Sequence, residues 1–100
     1  MKIDVLYVAG CPNYEPAVAR IRKVLASESL QAEVHCVVVS SDAEAKALLF
    51  PGSPTIRVNG DDVEPTHTNS PSLACRLYAN RSGVPSEEVL RLAVRTKRKE

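Results

Sequence analysis

The chain has 100 residues, carries 13 basic against 12 acidic side chains, and has a formal net charge of +1. That length suits one domain with its own core, and the near-neutral charge, with no basic stripe interleaved with aromatics, argues against nucleic-acid binding. With 4% aromatic residues the core must be built from Val, Leu, Ile and Ala. No apolar run is long enough to span a bilayer and no secretion signal is evident, so the reading is a cytoplasmic protein without a membrane role. In a reducing compartment its three cysteines, an odd number, are expected as free thiols.

The first element is "KIDVLYVA" (Lys2–Ala9), a short β-branched and apolar run ended by Gly10 and read as a buried strand. Asn13 then caps a helix, with Glu15 and Pro16 in its first turn. Ala17, Val18, Ile21, Val24 and Leu25 recur at helical spacing, so this helix is expected to reach about Ser29. "AEVHCVVVS" is the second strand, and its unbroken Val34 to Val39 stretch predicts burial on both faces. Cys36, inside that run, is accordingly expected to be an inert core thiol. Strand, helix and strand together suggest a right-handed βαβ unit.

Ser41 followed by Glu44 is a capping-box signature for a short helix through Leu49. Pro51, Gly52 and Pro54 enforce a tight loop before a strand over Thr55–Val58. Asn59-Gly60 is a strong hairpin signal leading to a brief strand around Asp62–Glu64, and Asp61-Asp62 is read as turn chemistry. "SPSLACRLYAN" predicts a short helix capped by Ser70 with Pro71 at its first position. At ~100° per residue that helix gathers Leu73, Ala74, Leu77 and Tyr78 on one face and turns Cys75 away. The last helix is "SEEVLRLAVRTK", acidic at its start and basic at its end. Lys97-Arg98-Lys99 is its solvated end. The expected fold class is α/β, in the order βαβ-α-ββα, with a four-stranded mixed sheet flanked by helices.

A cysteine-proline pair between first strand and first helix, "GSPTIRVNG" leading into the third strand, and a ββα ending resemble the thioredoxin-like superfamily at glutaredoxin size. "GCPN", "CRLY" and "GVPSEE" are more narrowly similar to small bacterial thioredoxin-like proteins, some of them labelled alkylmercury-lyase-like. The resemblance implies one thioredoxin-like domain over residues 1–100, with 65–80 as an insertion. It also implies that Cys11 is the attacking cysteine, that Pro54 is the cis-proline, and that the Ser53 backbone receives extended substrates. Pro12, Tyr14 and Thr55 belong to the same implied substrate-binding wall. Tyr14 stands where the resolving cysteine of a Cys-x-x-Cys pair would be.

A thiolate is the nucleophile and the soft-metal ligand, and the amides at a helix N-terminus favour the anion of Cys11. Two readings stay open for Cys75: a surface thiol without a role, or the missing second thiol brought toward Cys11. His35 and His67 make no metal-ligand spacing with any cysteine, so no metal or other cofactor is expected, with glutathione as a co-substrate of the redox reading. Three functions follow. The first is a redox protein exchanging thiols and disulfides with a small thiol or a disulfide-bearing peptide or protein, a monothiol-type oxidoreductase if it is an enzyme. The second is a binding module on the same scaffold without chemistry. The third is thiolate binding or processing of soft metals or organomercurials.

Overall fold

The structure, a computed structural model, describes residues 1–65 and 71–98. Its elements are β1 (Lys2–Tyr7), α1 (Tyr14–Ser27), β2 (Glu33–Val38), α2 (Asp42–Leu48), β3 (Thr55–Val58), β4 (Asp61–Asp62) and α3 (Glu87–Lys97). They form an α/β fold around a four-stranded mixed sheet of order β2-β1-β3-β4. β1 runs parallel to β2, from Lys2↔Glu33 to Tyr7↔Val38, and antiparallel to β3, from Ile3↔Val58 to Leu6↔Thr55. Asn59 and Gly60, both at positive φ, turn β3 into β4. Positive φ at both central positions is the turn whose twist matches a two-residue hairpin, which is why Asn-Gly stands there.

Side chains alternate across β1, and each face is covered by different helices. Ile3 and Val5, with Ile56 and Val58 of β3, pack against Ala17, Ile21, Val24 and Leu25 of α1 and Leu90 and Val94 of α3. Leu6 turns to the other face and meets Val39, Ala45 of α2 and Phe50. Ser41 accepts from the Glu44 N–H and so caps its helix as the sequence implies, and Ser86 accepts from the Val89 N–H and caps α3. Asn13 precedes α1 but makes no side-chain cap; α1 stops at Ser27, short of the expected Ser29. No described helix is long and apolar enough to cross a membrane.

Three expectations are corrected. β2 is the sheet's edge strand, not a strand covered on both faces, and Cys36, Val37 and Val38 are exposed. A continuous apolar run records hydrophobicity, but only strand order decides whether neighbours exist to cover it. The brief fourth strand is Asp61–Asp62 and does not extend to Glu64. The segment from Pro71 to Asn80 contains no helix, and Ser70 and His67 lie outside the described residues. Its backbone instead bonds outward to the loop before β3: the Ser72 N–H to the Phe50 carbonyl, the Ser53 N–H to the Ala74 carbonyl, and the Arg76 N–H to the Ser53 carbonyl. Exposure then alternates, with Arg76 and Tyr78 buried and Cys75 and Leu77 exposed. Tertiary hydrogen bonds and a buried guanidinium keep this stretch from forming a helix despite its modest helical pattern.

Candidate functional site

The loop between β1 and α1 carries Cys11, half-buried and free. Gly10, at φ 81, turns the chain out of β1, and the Cys11 N–H then donates to the Val8 carbonyl at 3.1 Å. The Tyr14 N–H donates back to the Cys11 carbonyl at 3.3 Å, closing the turn that opens α1. Cys11 therefore stands one turn ahead of the helix, its carbonyl taken by the first helical amide. Asn13 lies against Gly83, where a β-carbon would fall 2.1 Å from the Asn13 side-chain nitrogen, so the loop between Tyr78 and α3 closes over the start of α1.

Ser53 is the hub beneath this loop. Its hydroxyl accepts from the Val8 N–H at 3.0 Å, which ties it to the residue that anchors Cys11. Its backbone N–H and carbonyl are both taken by the stretch Ala74–Arg76, making Cys75 its parallel bridge partner. The Ser53–Pro54 peptide is cis. Thr55 donates its hydroxyl to the Gly52 carbonyl at 2.6 Å, and Tyr78 donates to the Pro54 carbonyl at 2.7 Å. Burial pushes the ionisation of the Tyr78 phenol up, so at neutral pH it is present as this donor.

Arg76, which the sequence reading passed over, locks the segment down. Its guanidinium donates to both oxygens of Asp62 at 2.7 and 2.9 Å and to the Glu64 carbonyl, and lies 4.2 Å over the Tyr78 ring. Burial is the largest single influence and works against its charge, but the hydrogen bonding to Asp62 and the surrounding negative groups, Glu64 among them, together outweigh it, and Arg76 holds its proton more firmly than a free arginine. Asp62 is thus more than turn chemistry. The available signal was the alternation Cys75, Arg76, Leu77, Tyr78 beside an acidic hairpin, legible only if that stretch is taken as extended.

The sequence-predicted residues divide by depth. Ser53 and Thr55 are fully buried and Pro54 nearly so, so these three residues of the implied substrate wall support the site from below and offer a ligand no surface in this arrangement. The backbone of Ser53, expected to pair with extended substrates, is already paired with residues 74–76. Pro12 is exposed and Tyr14 half-buried. The Tyr14 ring stacks on Tyr7 with centroids 3.7 Å apart. Its phenol ionisation is pushed up, first by a hydrogen bond to the Cys36 sulfur, then by partial burial and by Tyr7. Cys75 is exposed and free, like Cys36.

Among the described residues no cluster of three or more His, Cys, Asp or Glu is arranged to hold a metal. No family model, curated protein or solved structure matches this chain.

Proposed function

We propose that this chain is a thioredoxin-like thiol-disulfide exchange protein in which Cys11 attacks and Cys75 or an external thiol such as glutathione resolves. One observation carries the reading: Ser53 links both cysteines, holding the Cys11 loop through its hydroxyl and Val8, and the Cys75 backbone through its own N–H and carbonyl. The strand order β2-β1-β3-β4, with a half-buried cysteine between β1 and α1, supports the fold half of the proposal.

In the exchange the Cys11 thiolate attacks one sulfur of a substrate disulfide. A Cys11–substrate disulfide forms, the substrate S–S bond breaks, and the other substrate sulfur leaves as a thiolate. A second thiolate, from Cys75 or external thiol, then attacks the Cys11 sulfur and expels the remaining substrate thiolate. If Cys75 resolves, the resulting Cys11–Cys75 disulfide is reduced by two equivalents of a small external thiol, which becomes a disulfide. If an external thiol resolves, a second equivalent attacks the sulfur it left on Cys11, forming the external disulfide and releasing the Cys11 thiolate. With the Ser53 backbone already paired, an added peptide strand has no free backbone partners there, which favours compact disulfides over extended polypeptides.

The test is trapping with oxidised glutathione, read by mass spectrometry on the folded protein and on Cys11→Ser, Cys36→Ser and Cys75→Ser variants. The expected result is a glutathione adduct that disappears with Cys11→Ser, persists with Cys36→Ser and accumulates with Cys75→Ser. Reduction of a small disulfide by glutathione should accelerate with the parent protein and not with Cys11→Ser. An unreactive Cys11 overturns the proposal and leaves a non-catalytic binding module.

A further inference from the structure

Among the described residues no strand covers the outer edge of β2, and its geometry is self-complementary. The Glu33 N–H donates to the Met1 carbonyl and the Val39 N–H to the Tyr7 carbonyl, so by the alternation of a parallel ladder Glu33, His35 and Val37 address β1. Val34, Cys36 and Val38 therefore turn their N–H and carbonyl groups outward, and among the described residues no strand pairs with them. Two of the usual protections of an edge, proline and lysine, are missing from Glu33–Val38. The sheet's other edge, β4, is two residues long.

We propose that a second copy of this chain covers this edge, with β2 pairing antiparallel to β2 of the partner about a two-fold axis at Cys36. That register sets Cys36 opposite Cys36 and Val34 opposite Val38, and so uses all three outward-facing residues of each strand. Registers centred on His35 or Val37 pair only two. It also sets Glu33 opposite Val39 and His35 opposite Val37, so no like charges meet. Cys36 and Val38 share one sheet face with Tyr7 and the Tyr14 ring stacked on it. The same contact therefore withdraws from water exposed Cys36 and Val38 together with the half-buried Val34. Cross-strand pairs of β-branched residues are the favourable unit of such an interface. The two sheets become one continuous sheet closed by two-fold symmetry.

Sedimentation equilibrium of the reduced full chain from micromolar to submillimolar concentration reads this directly. The expected result is a reversible monomer–dimer equilibrium. Cys36→Lys, which puts like charges face to face at the axis, should raise its dissociation constant roughly tenfold or more, while Cys36→Ser leaves it within a few-fold. Because Cys36 is exposed, circular dichroism should report the Lys variant folded. A second readout does not depend on that variant. In a Cys11→Ser, Cys75→Ser background, a short bifunctional maleimide should join two chains through Cys36, since directly opposed residues bring their Cα atoms to about 5.5 Å. A chain that stays monomeric throughout overturns the proposal, and so does a dimer that neither cross-links at Cys36 nor responds to Cys36→Lys. Loss of the glutathione adduct at Cys11 would leave this result untouched, so the two proposals fail separately.

Discussion

Arg76→Ala is the most informative perturbation of this fold. It removes the two hydrogen bonds to Asp62, those to the Glu64 carbonyl and the Thr55 hydroxyl, and the stacking on Tyr78. Breaking a fully buried ion pair by deleting one partner costs about 3–5 kcal/mol, because the other charge is left without compensation. Here the Asp62 side chain keeps 15% exposure while that of Arg76 keeps 6%. Water can therefore reach the orphaned carboxylate, which lowers the expected cost to about 2–4 kcal/mol. In a domain of this size each kcal/mol moves Tm by about 4–8 °C, so the variant should melt roughly 10–30 °C lower. The chain has no tryptophan, so the assay is urea unfolding followed by far-UV circular dichroism. Amide exchange should single out Ser53 and Arg76, whose N–H groups join the segment to the loop. A double-mutant cycle with Asp62→Asn should return a coupling of about 1–3 kcal/mol. A cost for Arg76→Ala below about 1 kcal/mol, with Ser53 still protected, would refute the reasoning that this guanidinium holds residues 72–78 in place.

Gly52→Ala should destabilise through the same contact: its φ is +144 and an added β-carbon would sit 3.0 Å from the Arg76 β-carbon. A loss of about 1–3 kcal/mol in urea is expected, and a neutral substitution would mean that the segment shifts freely. Tyr78→Phe keeps the ring but leaves the Pro54 carbonyl without its donor, which should cost about 1–2 kcal/mol. The acid limb of stability should depend on Glu28, whose carboxylate is held below its ordinary 4.5 first by the hydrogen bond from Arg95 and then by the charges of Arg95 and Arg91, against some burial. Because the folded value is the lower one, that contribution is complete above pH 4.5 and is lost as pH falls through the folded value. Glu28→Gln should therefore lower Tm most at neutral pH and converge on the parent in acid; a constant gap across pH would sink this assignment.

The sequence by itself determined what local chemistry decides. The order of strands and helices follows from hydrophobic period, the capping serine Ser41 from its spacing to Glu44, and the β3–β4 hairpin from Asn59-Gly60. The loop cysteine ahead of α1 was legible for the same reason. Only the tertiary structure decided which elements become neighbours. It put β2 at the edge of the sheet, so a run that looks core-like exposes Cys36, Val37 and Val38. It also kept Pro71–Tyr78 from forming a helix, because pairing with Ser53 and the Arg76–Asp62 contact outweigh a helical period only a few residues long. Those contacts join residues far apart in the chain, and their energy depends on burial and on the hydrogen bonds made across the fold. A local pattern carries neither.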